Sequence, residues 1–534
     1  MLRLTVPLAL LASLLTQLPA AEPAPKHWIE ATAYAVPKET TNEGEGYFSI
    51  VTGHNGRLYI GTSKHGVGSY LVEFDPKTKA MRVVVDAQKA TGTTATGFAA
   101  QSKIHTRNNV GASGKIYFGT KQGYPGKNEK RTDYPGGYPM VYDPETGKTR
   151  VYPIPVPHQG IISITPDEAR GVAYISTCAD TRPDSTHFMI LDLKTGTYRD
   201  LMDCHHMFAF IVVDYKGRAY HPILGGDIAR WDPNTQKLER LKQTIDGKPP
   251  TKESLLALPE THPINWDISP DGKTLYALPM SGNHLYAYDL TAAGDTLPGR
   301  TVGELLPGVK NTDCRAMCTG PTGDVWAAVT APEAGVSNLM HLVLYRPGDK
   351  APRDLGAVAL ANPNYTEFKD ASGKPLPFHA GVVKLPNGKS VTQYVILGIT
   401  QGLDHTVYAL ALSPYTLLAV PPTALATAAP ADRPLPDVQA IGEVTAEKDV
   451  LTAKAPAATV VIGDTDTDTY RVSAEWQPAP KAGGNALQVM PSDPKDFTKP
   501  GLLQVSIGRD APGLLMTAGS SRYDTAGKKW VDNQ

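Results

Sequence analysis

The sequence predicts an all-β fold: a seven-bladed β-propeller followed by a small C-terminal β-sandwich-like module. Two repeated elements and one gap in the repetition carry this expectation. A strand-like run recurs as RLYIGT at Arg57, KIYFGT at Lys115, VAYIST at Val172, RAYHPI at Arg218, TLYALP at Thr274, VWAAVT at Val325 and TVYALA at Thr406. A strand end that runs into a polar turn follows it, as FDPKTKA at Phe74, YDPETGK at Tyr142, LDLKTGT at Leu191, WDPNTQK at Trp231, YDLTAAG at Tyr288 and YRPGDKA at Tyr345. Seven second strands and six hairpins, at about the 40–50-residue spacing of propeller blades, describe a ring of antiparallel sheets. The seventh repeat has no fourth strand, whereas HWIEATAYAV at residues 27–36 has no repeat of its own. An open blade edge would expose backbone donors, so this N-terminal run is expected to complete the last blade.

In chain order, residues 1–21 combine Arg3, an apolar stretch and small residues at Ala20 and Ala21. That pattern is a secretory signal peptide, too short for a membrane span, and it predicts a secreted or periplasmic protein. The propeller occupies residues 22–420. The most complete repeat lies in residues 101–154, where a turn at Ser113-Gly114 separates two alternating runs. Long polar connections precede the fifth blade, at residues 242–263, and the seventh, at residues 362–391. Residues 421–438 are rich in Pro and Ala and read as a linker. Residues 439–534 hold alternating runs such as TVVIGD and LLQVSIGRD, which suit a small β-rich module.

With 52 Lys and Arg against 53 Asp and Glu in 534 residues, net charge is close to zero. Bulk electrostatics therefore makes no case for nucleic acid or an anionic membrane surface. The 49 glycines and 46 prolines suit many tight turns. Of the cysteines, Cys314 and Cys318 on one strand would stand about 13 Å apart, beyond disulfide reach. A Cys178–Cys204 bridge is the pairing expected in an oxidising compartment, with buried thiols as the alternative.

In a propeller the inner-strand entries and the loops between second and third strands reach the same face. Residues at those positions converge although they are distant in sequence. The entries carry His105 with Arg107, His158, His205 with His206, His262, and Asp313 with Arg315; the loops add His65, Lys121 with Tyr124, Arg182 and His221. Histidine recurring at equivalent entries points to a shared site. His187, His284 and His341 stand just before third strands and read as structural repeat residues. The loop KQGYPGKNEKRTDYPGGYP interleaves Lys121, Lys127, Lys130 and Arg131 with Tyr124, Tyr134 and Tyr138. Tyrosine faces stack on sugar rings and cationic heads pair with carboxylate or sulfate. The sequence lacks a G-x-S-x-G elbow, an H-E-x-x-H motif and paired C-x-x-C motifs, which argues against the corresponding hydrolases and zinc folds. A divalent metal (Zn, Mn or Ca) held by funnel histidines stays open, because ligands from separate blades leave no spacing to test.

The repeats resemble those of exported bacterial propellers, and the His/Tyr/Arg set is similar to that of the propeller polysaccharide lyases, the ulvan lyase and oligogalacturonate lyase groups. The compact Gln/His metal motif of the latter group is not evident. The resemblance implies an enzyme that cleaves a uronate-containing, sulfated or unsulfated, anionic polysaccharide or oligosaccharide by β-elimination. It implies His105 as base, Tyr124 as acid and Arg107 as carboxylate partner, with His158 and His206 in support. Lys121, Tyr138, Arg182, His221, His262 and Arg315 are then the substrate-binding residues, in a monomer. The alternatives are a non-catalytic glycan- or protein-binding propeller and a metal-dependent hydrolase or lactonase.

Overall fold

The computed structural model describes residues 27–42, 49–179, 186–204, 210–223, 225–251, 264–279, 282–333, 335–366, 382–392, 398–412 and 414–428, together with strand segments between 438 and 533. The chain divides into two compact units, Met1–Ala429 and Pro430–Gln534.

Among the described residues the first unit holds three four-stranded antiparallel sheets and two eight-stranded sheets, each of the latter made of two four-stranded antiparallel groups joined through a parallel strand pair, as blades of a β-propeller numbered here in chain order. The first blade runs through Ile50–Thr52, Leu58–Gly61, Tyr70–Phe74 and Met81–Asp86. The second runs through Asn109–Val110, Ile116–Gly119, Pro139–Asp143 and Lys148–Val151.

The repeated sequence elements have local physical causes. The threonine ending three of the second strands caps the start of the third strand: the Oγ1 atoms of Thr62, Thr120 and Thr177 accept the N–H groups of Tyr70, Tyr138 and His187. The glycine before two of them is required by close packing, since a Cβ at Gly119 would stand 2.6 Å from Ile161 in the next blade. The hairpin aspartates are Asx turns. At Asp192 the N–H groups of Thr195 and Lys194 donate to the carboxylate at 2.7 and 2.9 Å, and these bonds hold it below its ordinary acid range.

Apolar side chains meet between neighbouring blades. Tyr59 and Leu71 of the first blade pack with Ile116, Phe118 and Met140 of the second.

The strand Trp28–Ala35 is shared between two blades. Its first half lies parallel to the outer strand of the sixth blade, Trp28 opposite Ala357. Its second half lies antiparallel to Thr416–Val420 as the outer strand of the seventh, Thr32 opposite Ala419. Asn362 fastens the crossover, its Oδ1 accepting from Ala33 N at 2.7 Å and its Nδ2 donating to Ala33 O at 2.9 Å.

Two expectations are corrected here. Residues Pro422–Ala428, read as linker, form an α-helix, with Ala424 and Leu425 packed on the hydrophobic cluster of the sixth and seventh blades. Proline is tolerated in the first helical turn, and alanine is the strongest helix former. The four cysteines are buried thiols, so no Cys178–Cys204 bridge forms. The Cys204 thiol donates to the Thr186 carbonyl oxygen at 3.2 Å. Burial pushes the Cys314 thiol up to about 12.

In the second unit Leu502–Asp510 pairs with Asn485–Val489 and with Gly513–Asp524, which pairs in turn with Lys529–Asn533. Val438–Ile441 with Thr459–Ile462, and Val444–Glu447 with Val450–Ala453, make two further antiparallel ladders. No helix among the described residues is long and apolar enough to cross a membrane.

Candidate functional site

The inner strands start at the rim that also carries the second-to-third loops and the connections between blades. At the junction of the first two blades three such segments form a short ladder. Lys103 bridges Ser63 on one side and Lys121 on the other. Lys103 N donates to Lys121 O at 3.0 Å, Lys121 N to Lys103 O at 2.8 Å, and Ile104 N to Thr62 O at 3.0 Å. Extended backbone alternates its side chains, so Lys103 and His105 share one side while Ile104 enters the apolar core.

The result is a cationic cluster under an aromatic cover. Lys103 and Lys121 are both buried, and His105 is 3% exposed. Burial, then the Lys121 and Lys103 charges, hold the His105 imidazole well below its ordinary value, so it is neutral near pH 7. The Lys103 ammonium sits 3.8 Å from the centroid of the Tyr124 ring. Tyr124 is 59% exposed, and its ring meets His65 edge-on at 5.0 Å. The close seating of this loop shows at Gly160, where a Cβ would fall 2.5 Å from Lys121 Cγ.

Of the residues expected to converge, His65, His105, Lys121 and Tyr124 come together here; Arg107, His221 and Arg315 are engaged elsewhere. The Arg107 guanidinium is committed inside the central channel: Nη2 pairs with Asp267 Oδ2 at 2.6 Å, and Nη1 donates to the Trp266 carbonyl oxygen. Distance along the chain explains the separation: two further residues, about 7 Å of extended backbone, carry Arg107 from the rim towards the inner strand that starts at Asn109. A cavity of about 200 Å³ lies there, lined by Arg107, Phe210, Asn265, Asp267 and Met317 among others.

His221 is fully buried. Its Nδ1 donates to Pro222 O at 2.6 Å and its Nε2 accepts from Ser176 Oγ at 2.8 Å, which makes it a packing and hydrogen-bonding residue instead of a ligand contact. Burial lowers it to about 4. Tyr138 is half-buried against the core of the first two blades. Arg315 pairs with Asp313 at 2.8 Å, and burial, opposed by Arg315, raises the Asp313 carboxyl. His158 is exposed on the next connection, its Nδ1 donating to Tyr134 O at 2.6 Å. Arg182, His206 and His262 lie outside the described residues.

The residues that sequence reasoning passed over are Lys103 and Asp267. Lys103 had a readable signal, two positions before His105 on an alternating run. Asp267 had a weaker one, a lone carboxylate in the strand Ile264–Ile268. Among the described residues no group of three or more His, Cys, Asp or Glu is placed to hold a metal ion.

The fold and the rim site together define an all-β propeller with a cationic, tyrosine-covered site on one face. No family model and no curated protein matches the chain. Among solved structures it is similar to the streptogramin B lyase structure, at 15% identity over 73% of this chain and 97% of that one, TM-score 0.44. It is similar to the WD40 repeats of RRP9 at 7% identity, covering 73% of this chain and 99% of that one, TM-score 0.44. The extracellular domain of the hybrid two component system BT4673 from B. thetaiotaomicron aligns at 10% identity over 94% of this chain and 53% of that one, TM-score 0.43.

Proposed function

We propose that this is an exported, carbohydrate-active propeller, a polysaccharide lyase that cleaves a uronate-containing glycan by β-elimination at the junction of the first two blades. The observation that supports this reading is a neutral imidazole, His105, under the charges of two buried lysines, one of which lies against an exposed phenol.

The chemistry follows from those side chains. A proton next to a carboxylate leaves only when the carboxylate charge is offset, and Lys103 and Lys121 supply that offset in place of Arg107. His105 takes the C5 proton, the C4–C5 double bond forms as the C4–O bond breaks, and Tyr124 protonates the departing oxygen. Because the Tyr124 ring covers Lys103, substrate must displace that ring to reach the ammonium and the imidazole.

The test is absorbance in the near ultraviolet on incubation with ulvan or polygalacturonate. A rise reports the unsaturated uronate. Binding of an intact polymer without that rise identifies a non-catalytic glycan-binding propeller, the reading that the small exposure of His105 favours. Neither binding nor cleavage of any acidic glycan would remove both.

A further inference from the structure

We propose that His341 is a pH-operated latch on the closure of the propeller ring, joining the sixth blade to the N-terminal strand that completes the seventh.

His341 lies on the third strand of the sixth blade, Val336–Tyr345, opposite Val329 on one side and Ala357 on the other. Its ring is 5% exposed as a residue and is held at both nitrogens. Nε2 stands 2.7 Å from Glu333 Oε2, at the end of the second strand. Nδ1 stands 3.0 and 3.1 Å from the two oxygens of Asp354, on the outer strand. Ionised carboxylates only accept hydrogen bonds, and a neutral imidazole has a single N–H. Both contacts are made together only by the imidazolium, so one proton on this ring ties three strands of the blade. Burial works to lower the basicity of His341, but the hydrogen bonds and charges of Asp354 and then Glu333 outweigh it and raise the group above its ordinary 6.5.

The position of the clamp connects it to ring closure. Ala357, opposite His341, is also opposite Trp28 of the closing strand. Asp354 Oδ1 accepts from Gly356 N at 2.9 Å, at the bulge where Ala357 N donates to His27 O at 3.0 Å. Gly356 has φ +129°, and a Cβ there would fall 2.7 Å from His27 O, so the closing strand rests directly on the turn that Asp354 orients. The other charged side chains on the elements packed here are Arg353 on the outer strand, Glu30 on the closing strand, and Lys384 and Lys389 on the hairpin of residues 382–392. Glu30 and Lys389 pair with each other at 3.1 Å.

The sign follows from linkage. A group whose folded value is raised contributes its full stabilisation below the unfolded value, and that contribution is lost as pH rises through the folded one. The latch is closed at acidic pH and loosens on the alkaline side of 6.5.

The experiment is hydrogen exchange of the full chain between pH 5.5 and 9.5, corrected for intrinsic exchange rates and read on peptides spanning the closing strand. Protection is expected to fall with pH above 6.5, by up to about tenfold per pH unit for one linked proton. Glu333→Gln should move the fall to lower pH, and His341→Gln should remove the pH dependence while leaving protection low. The proposal is overturned if protection in the wild-type chain is flat across this range, or if the fall persists in His341→Gln. Should that variant fail to fold, the imidazole signal of His341 in the wild-type chain decides: a midpoint at or below 6.5 overturns the latch, and a higher one supports it.

Discussion

Arg107 of the second blade reaches Asp267 of the fifth, Nη2 to Oδ2 at 2.6 Å, across the axis of the ring. Both side chains are mostly buried, and Asp267 also accepts from Thr319 N of the sixth blade at 2.8 Å. A charge pair of this kind couples blades that share no interface, and removing one member leaves the other uncompensated. Arg107→Met should lower unfolding stability by about 2–4 kcal/mol in urea titration. Any activity of the rim site should be retained in the folded fraction; loss of turnover in fully folded protein would return Arg107 to the substrate path.

Tyr124 and Lys103 separate chemistry from stability. Tyr124→Phe removes one exposed hydroxyl, so melting temperature should hold while turnover on an acidic glycan falls by about 10²-fold or more, the range for losing a general acid. Lys103→Met should lower kcat as well as raise KM, because the ammonium offsets the carboxylate charge in the bound substrate and the further negative charge that develops as the proton leaves. Wild-type kinetics in both variants would place the reaction elsewhere.

Asn362 mimics a strand neighbour for Ala33 through both its amide atoms. Asn362→Ala leaves a backbone donor and acceptor without those partners and is expected to destabilise the chain by about 1–3 kcal/mol. Differential scanning calorimetry on the two proteins measures it.

The thiol state is directly countable. A chromogenic disulfide reagent should find no reactive thiol in the native chain and all four after denaturation, since every cysteine is buried. Two titratable thiols in denaturant would instead reveal a bridge.

His105 and His221 set the acid limit of stability. Both are held below the ordinary 6.5 by burial, His221 to about 4. Between the folded and unfolded values the unfolded chain binds more protons, so stability falls as pH drops below 6.5. His221 alone should account for about 3 kcal/mol between pH 6.5 and 4. His221→Gln should flatten part of the acid limb in denaturant melts taken at a series of pH values. His341 acts in the opposite direction above 6.5, so stability should peak near that pH.

How much was legible in the sequence depended on the range of the interaction. The Thr caps at Thr62, Thr120 and Thr177 and the Asx turn at Asp192 are local, so they repeat wherever the residues repeat. The edge that needs a partner is also local, which made residues 27–36 readable as a closing strand. The helix at Pro422–Ala428 was missed because its stability comes from apolar packing on two blades, which composition does not show. The burial of His221 was not readable for a related reason: repeat position places a residue near a rim, but does not say whether its side chain turns outward or into the inter-blade layer.

The sequence by itself determined the all-β repeat, its strand order and the segments that meet at one rim, because hydrogen-bond periodicity and turn chemistry act over a few residues. Only the tertiary structure decided that Lys103 and Lys121 flank His105, that Arg107 crosses the channel to Asp267, and that His341 lies between Glu333 and Asp354. Each of these depends on the direction of a side chain across a packed interface. Burial and opposing charge act through space, and a linear chain does not record which charges will face one another.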